Sequence, residues 1–458
     1  RPDPLLPLPR PLRLAASETQ ALWLDLVISR DAPAGEHAGG SVVLNATNSR
    51  GEPVWLVLPF KITVWDLTLP TFAESAIGTA WSGSWEAETF RPFYPNLSWG
   101  NIKKEWYDLM MDHRMPPDSI YLDKPRPLDD LEYMGKRGVK NFALLDVSRL
   151  PLHPGAAVAP LRAHNGGNFV RVESCPLYTD EYVSRLLKLL RPAVEALERA
   201  KLLSSAYVYG FDEQPQSCEP QVRQLFGAVK KAFPGLRTAA VLNWSPMPVE
   251  LPIDIWIFQY QKFNASDAAA WVGAGKEQWQ YHCIEPDQTQ FLNTFIERPS
   301  LQGRLLFWLA ALRQLEHGAP SGWLYYYVNL WQGCSDPTKC AEAAVLGPAG
   351  AYPYTNFSVA NFIWRGEYDD IFANGDGMFV YPCPDGHPCP SVRLAAIRDG
   401  LEDWELFSRA PAAARRRIAM LLRGIVRDSW DWSRDPFLLE RVRREAAAAA
   451  QGGDIPFI

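Results

Sequence analysis

The sequence has no run of the roughly eighteen consecutive apolar residues that a membrane span needs. It also has little charge imbalance. Lys and Arg number 46 against 52 Asp and Glu, a net charge of −6. That balance leaves no electrostatic footprint for nucleic acid or an anionic membrane surface. No CxxC pair is present, and the 7 Cys and 7 His do not fall into zinc-ligand spacing. No metal or cofactor is expected. At 458 residues the chain is too long for one ordinary core, so a large barrel with an extra module, or two domains, is expected.

What is plentiful is aromatic. The chain carries 18 Trp and 17 Tyr. Aromatic faces pack on the apolar faces of sugar rings, and bulky rings also fill large cores; composition leaves both readings open. Cys334 and Cys340 bracket one short polar loop, and Cys383 and Cys389 bracket another. Both loops suit local disulfides. Cys175 and Cys218 are candidates for a third bridge, which leaves Cys283 odd. Sequons stand at Asn45, Asn96, Asn243, Asn264 and Asn356. The chain starts at Arg1 without a signal peptide, so removal of a leader and a secreted, lysosomal or other secretory location are the expectation.

Residues 1–70 alternate apolar and polar positions between Gly, Pro, Asn and Asp clusters, which predicts a small β-sandwich module. From residue 71 to 458, strand-like runs alternate with helical periodicity. Strands are predicted at Ser75–Ala80, Ser119–Leu122, Asn141–Val147, Ala206–Phe211, Thr238–Asn243, Asp254–Gln259, Gln278–Cys283 and Trp323–Val328. Helical stripes lie between most of them, the longest at Asp180–Leu203. This is the pattern of an α/β (β/α)8 TIM-like barrel, with three C-terminal helices as an outer layer.

Such barrels present functional groups at the C-terminal ends of their strands. There the sequence places Asp212 and Glu213 after the fourth strand, within YVYGFDEQP. Trp81, Trp244, Tyr260 and Trp331 follow the first, fifth, sixth and eighth. The seventh supplies Tyr281, His282 and Glu285. Rings to stack on and acids to move protons compose a sugar subsite.

Several runs together resemble glycoside hydrolase family 123, the exo-acting β-N-acetylgalactosaminidases. They are the Asp-Glu pair in Tyr207–Pro215, WQYHCIEP at Trp279–Pro286, the Asn293, Arg304, Trp308 spacing, and GWLYYYVNLW at Gly322–Trp331. NGDGMFVYP at Asn374–Pro382 and PSVRLAAIRDGLEDWELF at Pro390–Phe407 complete the match. The resemblance implies hydrolysis of a terminal β-linked GalNAc on a glycan or glycolipid with substrate assistance, the sugar's 2-acetamido oxygen attacking its own anomeric carbon. Glu213 matches the general acid/base and Asp212 the residue that holds the acetamido N–H. Adjacent carboxylates cannot easily flank a bond from opposite faces, but they can serve neighbouring atoms of one sugar.

Tyr281 is the candidate for the acetamido oxygen. Trp331 and Trp244 are candidate platforms, with Tyr260 and Trp81 nearby, and Asp376 is a candidate for sugar hydroxyls. Asn293, Arg304 and Trp308 read as structural. Glu285, where the family pattern has a small residue, keeps a conventional two-carboxylate retaining glycosidase as an alternative, with Glu213 as acid/base and Glu285 as nucleophile. A non-catalytic sugar-binding barrel is the third reading.

Overall fold

The computed structural model describes residues 3–5, 7, 15, 17–75, 77–79, 98–148, 162–165, 168–171, 175, 177–283, 285–286, 288–325, 379–383 and 385–451. In chain order they form β1 (Gly35–Thr47), β2 (Pro53–Val64), β3 (Gly78–Thr79), α1 (Trp99–Asp112), α2 (Leu128–Lys136), β4 (Phe142–Asp146), β5 (Arg162–Asn165), β6 (Asn168–Arg171) and α3 (Asp180–Arg199). Then come β7 (Ala206–Gly210), α4 (Glu219–Ala232), β8 (Arg237–Val241), β9 (Ile255–Gln259), α5 (Ala265–Gly273), β10 (Glu277–His282), α6 (Leu301–His317) and β11 (Gly322–Tyr325). The C-terminal part adds β12 (Val380–Pro382), β13 (Pro388–Pro390), α7 (Val392–Ser408), α8 (Ala412–Arg423) and α9 (Pro436–Ala450).

Seven parallel strands form the central sheet, in the order β3-β11-β10-β9-β8-β7-β4. Every residue of β4, β7, β9 and β11 is buried. That is why these strands read as apolar runs: helices cover one face of the sheet and its curled interior covers the other. Period-two alternation divides the side chains between two cores. Tyr207, Tyr209, Ala239, Val241, Ile255, Ile257, Trp279, Tyr281 and Leu324 fill the interior. Val208, Ala240, Leu242, Trp256 and Phe258 face α2 to α5. A third core joins α1 and α6 to the C-terminal helices.

Helix ends follow their sequence signals. Thr179, Asn264, Ser391 and Asp435 each accept a backbone N–H from the first turn of the helix they precede. Gly318 ends α6 at φ +77°, a conformation that glycine adopts without a Cβ clash. Arg304 and Trp308 of α6 both donate to Asp403 of α7, at 2.6 and 2.8 Å, and Arg443 of α9 adds a third donor at 2.6 Å.

Two expectations change. Residues 119–122 form no ladder strand. Pro116 and Pro117 precede them and carry no N–H, and the Asp118 carboxylate takes the Ala143 amide of β4 at 2.9 Å. One backbone bond survives, from Asp146 N to Leu122 O. This segment lies along the edge of β4 away from β7, and among the described residues the ladder does not close into an eight-stranded barrel. The N-terminal β-sandwich is also not found. Described residues of that region form one antiparallel ladder, β1 with β2, and the second sheet a sandwich needs is absent among them. Trp55 and Val57 of β2 are exposed on this two-stranded ribbon, and the largely apolar run Leu22–Ile28 is exposed and joins no strand ladder.

Candidate active site

The candidate site is built on the turn that leaves β7. Glycine at position 210 ends the strand, and the next three residues wind tightly. Phe211 and Glu213 both sit at positive φ, +60° and +51°, on either side of Asp212. Non-glycine residues seldom hold that conformation, and a pair of them stores strain of about 1–3 kcal/mol each. The surroundings hold the turn in place. Phe211 N donates to Ser148 Oγ at 3.3 Å, and Glu213 N donates to Val241 O of β8 at 2.7 Å. Gln214 Nε2 returns to Asp212 O at 2.9 Å, and the Trp244 indole donates to Gln214 O at 2.7 Å.

The two carboxylates face different partners. Asp212 is buried. Its Oδ2 accepts from the Tyr121 hydroxyl at 2.9 Å and its Oδ1 from the Tyr209 hydroxyl at 3.0 Å. Glu213 is half-buried, and its Oε1 accepts from the Tyr281 hydroxyl of β10. Burial, and then the nearby Glu213 charge, push the Tyr281 hydroxyl well above its ordinary value, so it stays a proton donor. Asn243 Nδ2 donates to the same hydroxyl at 3.1 Å, while Asn243 Oδ1 accepts Gln259 N at 3.0 Å. Gln259 Nε2 reaches Glu285 Oε2 at 3.3 Å. One hydrogen-bonded row thus runs from Glu213 across β10, β8 and β9 to Glu285.

The structure brings together Asp212, Glu213 and Tyr281 from the sequence reading. The Tyr281 hydroxyl donates to Glu213 Oε1. Two aromatic candidates stand elsewhere. Tyr260 is fully buried in the α6 core, its hydroxyl bonded to Leu292 O, so it lies outside the mouth. Trp244 packs in the core outside the sheet and braces Gln214, so it offers no open platform. Each directly follows the residue that does face inward, Gln259 and Asn243. Trp81, Trp331 and Asp376 lie outside the described residues, as do Cys334, Cys340, Asn96 and Asn356.

The geometry adds Tyr121, Tyr209, Asn243 and Gln259 to the candidate site. Strand parity was the available signal for three of them, since Tyr209 shares the register of Tyr207, and Asn243 and Gln259 continue the inward positions of Val241 and Ile257. Arg304 and Trp308 are structural, as expected. Asn293 is fully buried and donates to Cys283 O at 3.1 Å and Pro286 O at 3.0 Å, holding the loop that carries Glu285. Disulfides join Cys175 to Cys218 and Cys383 to Cys389, and Cys283 takes part in neither. Among the described residues no group of three or more His, Cys, Asp or Glu is placed to hold a metal ion.

A curled parallel α/β sheet that gathers carboxylates and tyrosines at its strand C-termini has the layout of a TIM-like barrel with its site at the usual face. Comparison with protein families matches residues 159–409 to "Glycoside hydrolase 123, catalytic domain". The chain belongs to glycoside hydrolase family 123. A solved family 123 glycoside hydrolase from Clostridium perfringens, described for glycolipid glycan hydrolysis, is similar in fold. The alignment has 12% identity and a TM-score of 0.58, and covers 92% of this chain and 76% of that one. A Cellvibrio japonicus Xylanase10C variant in complex with xylopentaose aligns with 9% identity over 76% of this chain and 72% of that one, at a TM-score of 0.38. Comparison with curated proteins returns no match.

Proposed function

We propose that the chain is an exo-acting retaining β-N-acetylgalactosaminidase that uses the substrate's own acetamido group as nucleophile. The observation that carries this reading is the adjacency of Asp212 and Glu213 on one strained turn, with each carboxylate held by different hydroxyls. Two successive residues reach neighbouring atoms of one sugar, and that is the division of labour substrate assistance needs.

Glu213, protonated, gives its proton to the glycosidic oxygen. The acetamido carbonyl oxygen attacks C1 as the C1–O bond breaks, and the aglycone leaves as an alcohol. Asp212 accepts the acetamido N–H and stabilises the positive charge that develops on the oxazolinium. Water then attacks C1, Glu213 takes its proton, and the ring opens to the free sugar with retained configuration. Tyr281 holds the Glu213 carboxylate in the charged half of this cycle. Proton transfer of this kind supplies roughly two to four powers of ten in rate. The two disulfides fit a protein working in or beyond the secretory pathway.

The test is turnover of a chromogenic β-GalNAc glycoside by wild type and Glu213→Gln, with inhibition by GalNAc-thiazoline. The variant should lose about 10²–10⁴ of kcat while still binding the thiazoline. Full activity in the variant sinks the reading. Cleavage of sugars without an acetamido group, with a covalent adduct on Glu285, would replace it with the two-carboxylate mechanism. No turnover of any glycoside would leave a sugar-binding barrel.

A further inference from the structure

Gln259 carries an unmet acceptor at the mouth of the sheet. Along β9, Ile255 and Ile257 face the interior while Trp256 and Phe258 face the helices. The period of two therefore aims Gln259 inward at the strand's C-terminal end. The residue is 2% exposed. Its Nε2 donates to Glu285 Oε2 at 3.3 Å. An ionised carboxylate only accepts, so this contact fixes which end of the amide is nitrogen. The other end, Oε1, is buried without a hydrogen-bond partner. Leaving a buried carbonyl unpaired is unfavourable, and a donor from a ligand would relieve it.

Glu285 is placed to keep that amide oriented. Asn293 ties the carbonyls on both sides of it, at Cys283 and Pro286, so the loop presents Glu285 in one position. Glu285 itself is exposed at the rim. Direction along the sheet then says which part of a substrate lies here. Asp212 is held by Tyr121, beside β4, and by Tyr209 of β7. Glu213 leans the other way, its N–H on β8 and its carboxylate on β10. Gln259 and Glu285 continue in that second direction. A sugar with its acetamido group over Asp212 and its glycosidic oxygen over Glu213 extends its leaving group toward Gln259.

We propose that Gln259, aimed by Glu285, accepts a hydrogen bond from a hydroxyl of the leaving-group sugar and forms the aglycone subsite. This rests on the function proposed above. Gln259 is the binding group and Glu285 its positioning residue. The pair selects a glycan leaving group over an aryl one, which has no hydroxyl to offer.

The experiment compares kcat/KM for a disaccharide, GalNAc β-linked to galactose, with that for p-nitrophenyl β-GalNAc, using wild type, Gln259→Leu and Glu285→Gln. The disaccharide-to-aryl ratio should fall about tenfold in Gln259→Leu, the loss expected for one buried hydrogen bond, and chiefly through KM. In Glu285→Gln, exposed and safe for folding, the ratio should fall by a smaller factor, because the Gln259 amide then loses its fixed orientation. An unchanged ratio in either Gln259→Leu or Glu285→Gln overturns the proposal, including the case where both substrates lose activity equally. If wild type turns over neither substrate, the proposed function fails and this inference fails with it.

Discussion

The Tyr121 hydroxyl lies 2.9 Å from Asp212 Oδ2, although the two residues are 91 apart in sequence. With Tyr209 on Oδ1, both oxygens of the carboxylate are fixed. On the proposed function, a carboxylate so held accepts the acetamido N–H without first reorienting. Removing one hydroxyl leaves the other as an anchor; removing both lets the side chain turn. Tyr121→Phe and Tyr209→Phe should each lower kcat by about tenfold, the worth of one hydrogen bond to a charged group at its low end. The double variant should lose more than the product of the two. Steady-state kinetics on one chromogenic substrate decide it, and simple multiplicativity would mean the hydroxyls act independently of Asp212 orientation.

Much of this site was legible as strand order and little of it as side-chain direction. The parallel strands showed as apolar runs because both faces of the sheet are covered. The Asp212–Glu213 pair stood out because two carboxylates ended such a run. Tyr281 shows in the sequence by its place at the end of the seventh strand, and the structure puts it on the inward face with Trp279. Tyr260 and Trp244 were chosen for being aromatic, and each is one residue away from the inward-facing polar group. A one-residue step in a strand moves a side chain to the other face, so at both places aromatic composition points one residue past the inward-facing polar group. The second strand failed for a different reason. Asp118 supplies by side chain what a strand would supply by backbone, and periodicity carries no sign of that.

Asn243 stands in a sequon, yet its amide nitrogen is already committed to the Tyr281 hydroxyl at 3.1 Å. A glycan on that nitrogen would break the row between Glu213 and Gln259. Asn45 and Asn264 are exposed by contrast. Peptide mapping by mass spectrometry, after expression in a eukaryotic secretory host, should find Asn243 unmodified. Substantial occupancy there would contradict the inward placement of this side chain.

His282 should make stability depend on pH. It is fully buried, and burial pulls its pKa down to about 3 from an ordinary 6.5. The Trp323 indole donates to Nδ1 at 3.0 Å, so the ring proton sits on Nε2 and donates to Thr294 Oγ1 at 3.1 Å. Below pH 6.5 the unfolded chain takes up a proton that the folded chain refuses until near pH 3. Stability therefore falls as pH drops through that window, by up to about 1.4 kcal/mol per pH unit. His282→Gln keeps an acceptor and a donor but cannot titrate. It should be less stable than wild type at pH 7.5 and show a flatter dependence down to pH 4.5. Urea midpoints that fall in parallel for both proteins would rule this group out as the source.

Besides their apolar core, α7 and α9 are tied to α6 through one buried charge. Asp403 is fully buried and takes Arg304 and Arg443 at 2.6 Å each, with Trp308 at 2.8 Å. Burial alone would raise its pKa, but the two guanidinium groups hold it below the ordinary carboxylate value. Asp403→Asn leaves two arginines facing an amide that can donate as well as accept, and removes the charge that balanced them. Breaking a buried ion pair from one side costs about 3–5 kcal/mol. Because α6 also packs on the sheet, through Phe307 against Trp323 at 5.2 Å between ring centres, the loss should appear as a lowered midpoint of one cooperative transition. Asp403→Leu, which removes every polar atom at that position, should be no better, since both arginines stay. Adding Arg304→Met and Arg443→Met to Asp403→Leu should recover part of the loss, because a uniformly apolar cluster leaves no buried charge unpaired. Chemical denaturation of the three variants tests this, and an unchanged midpoint in Asp403→Asn would show that the arginines find other partners.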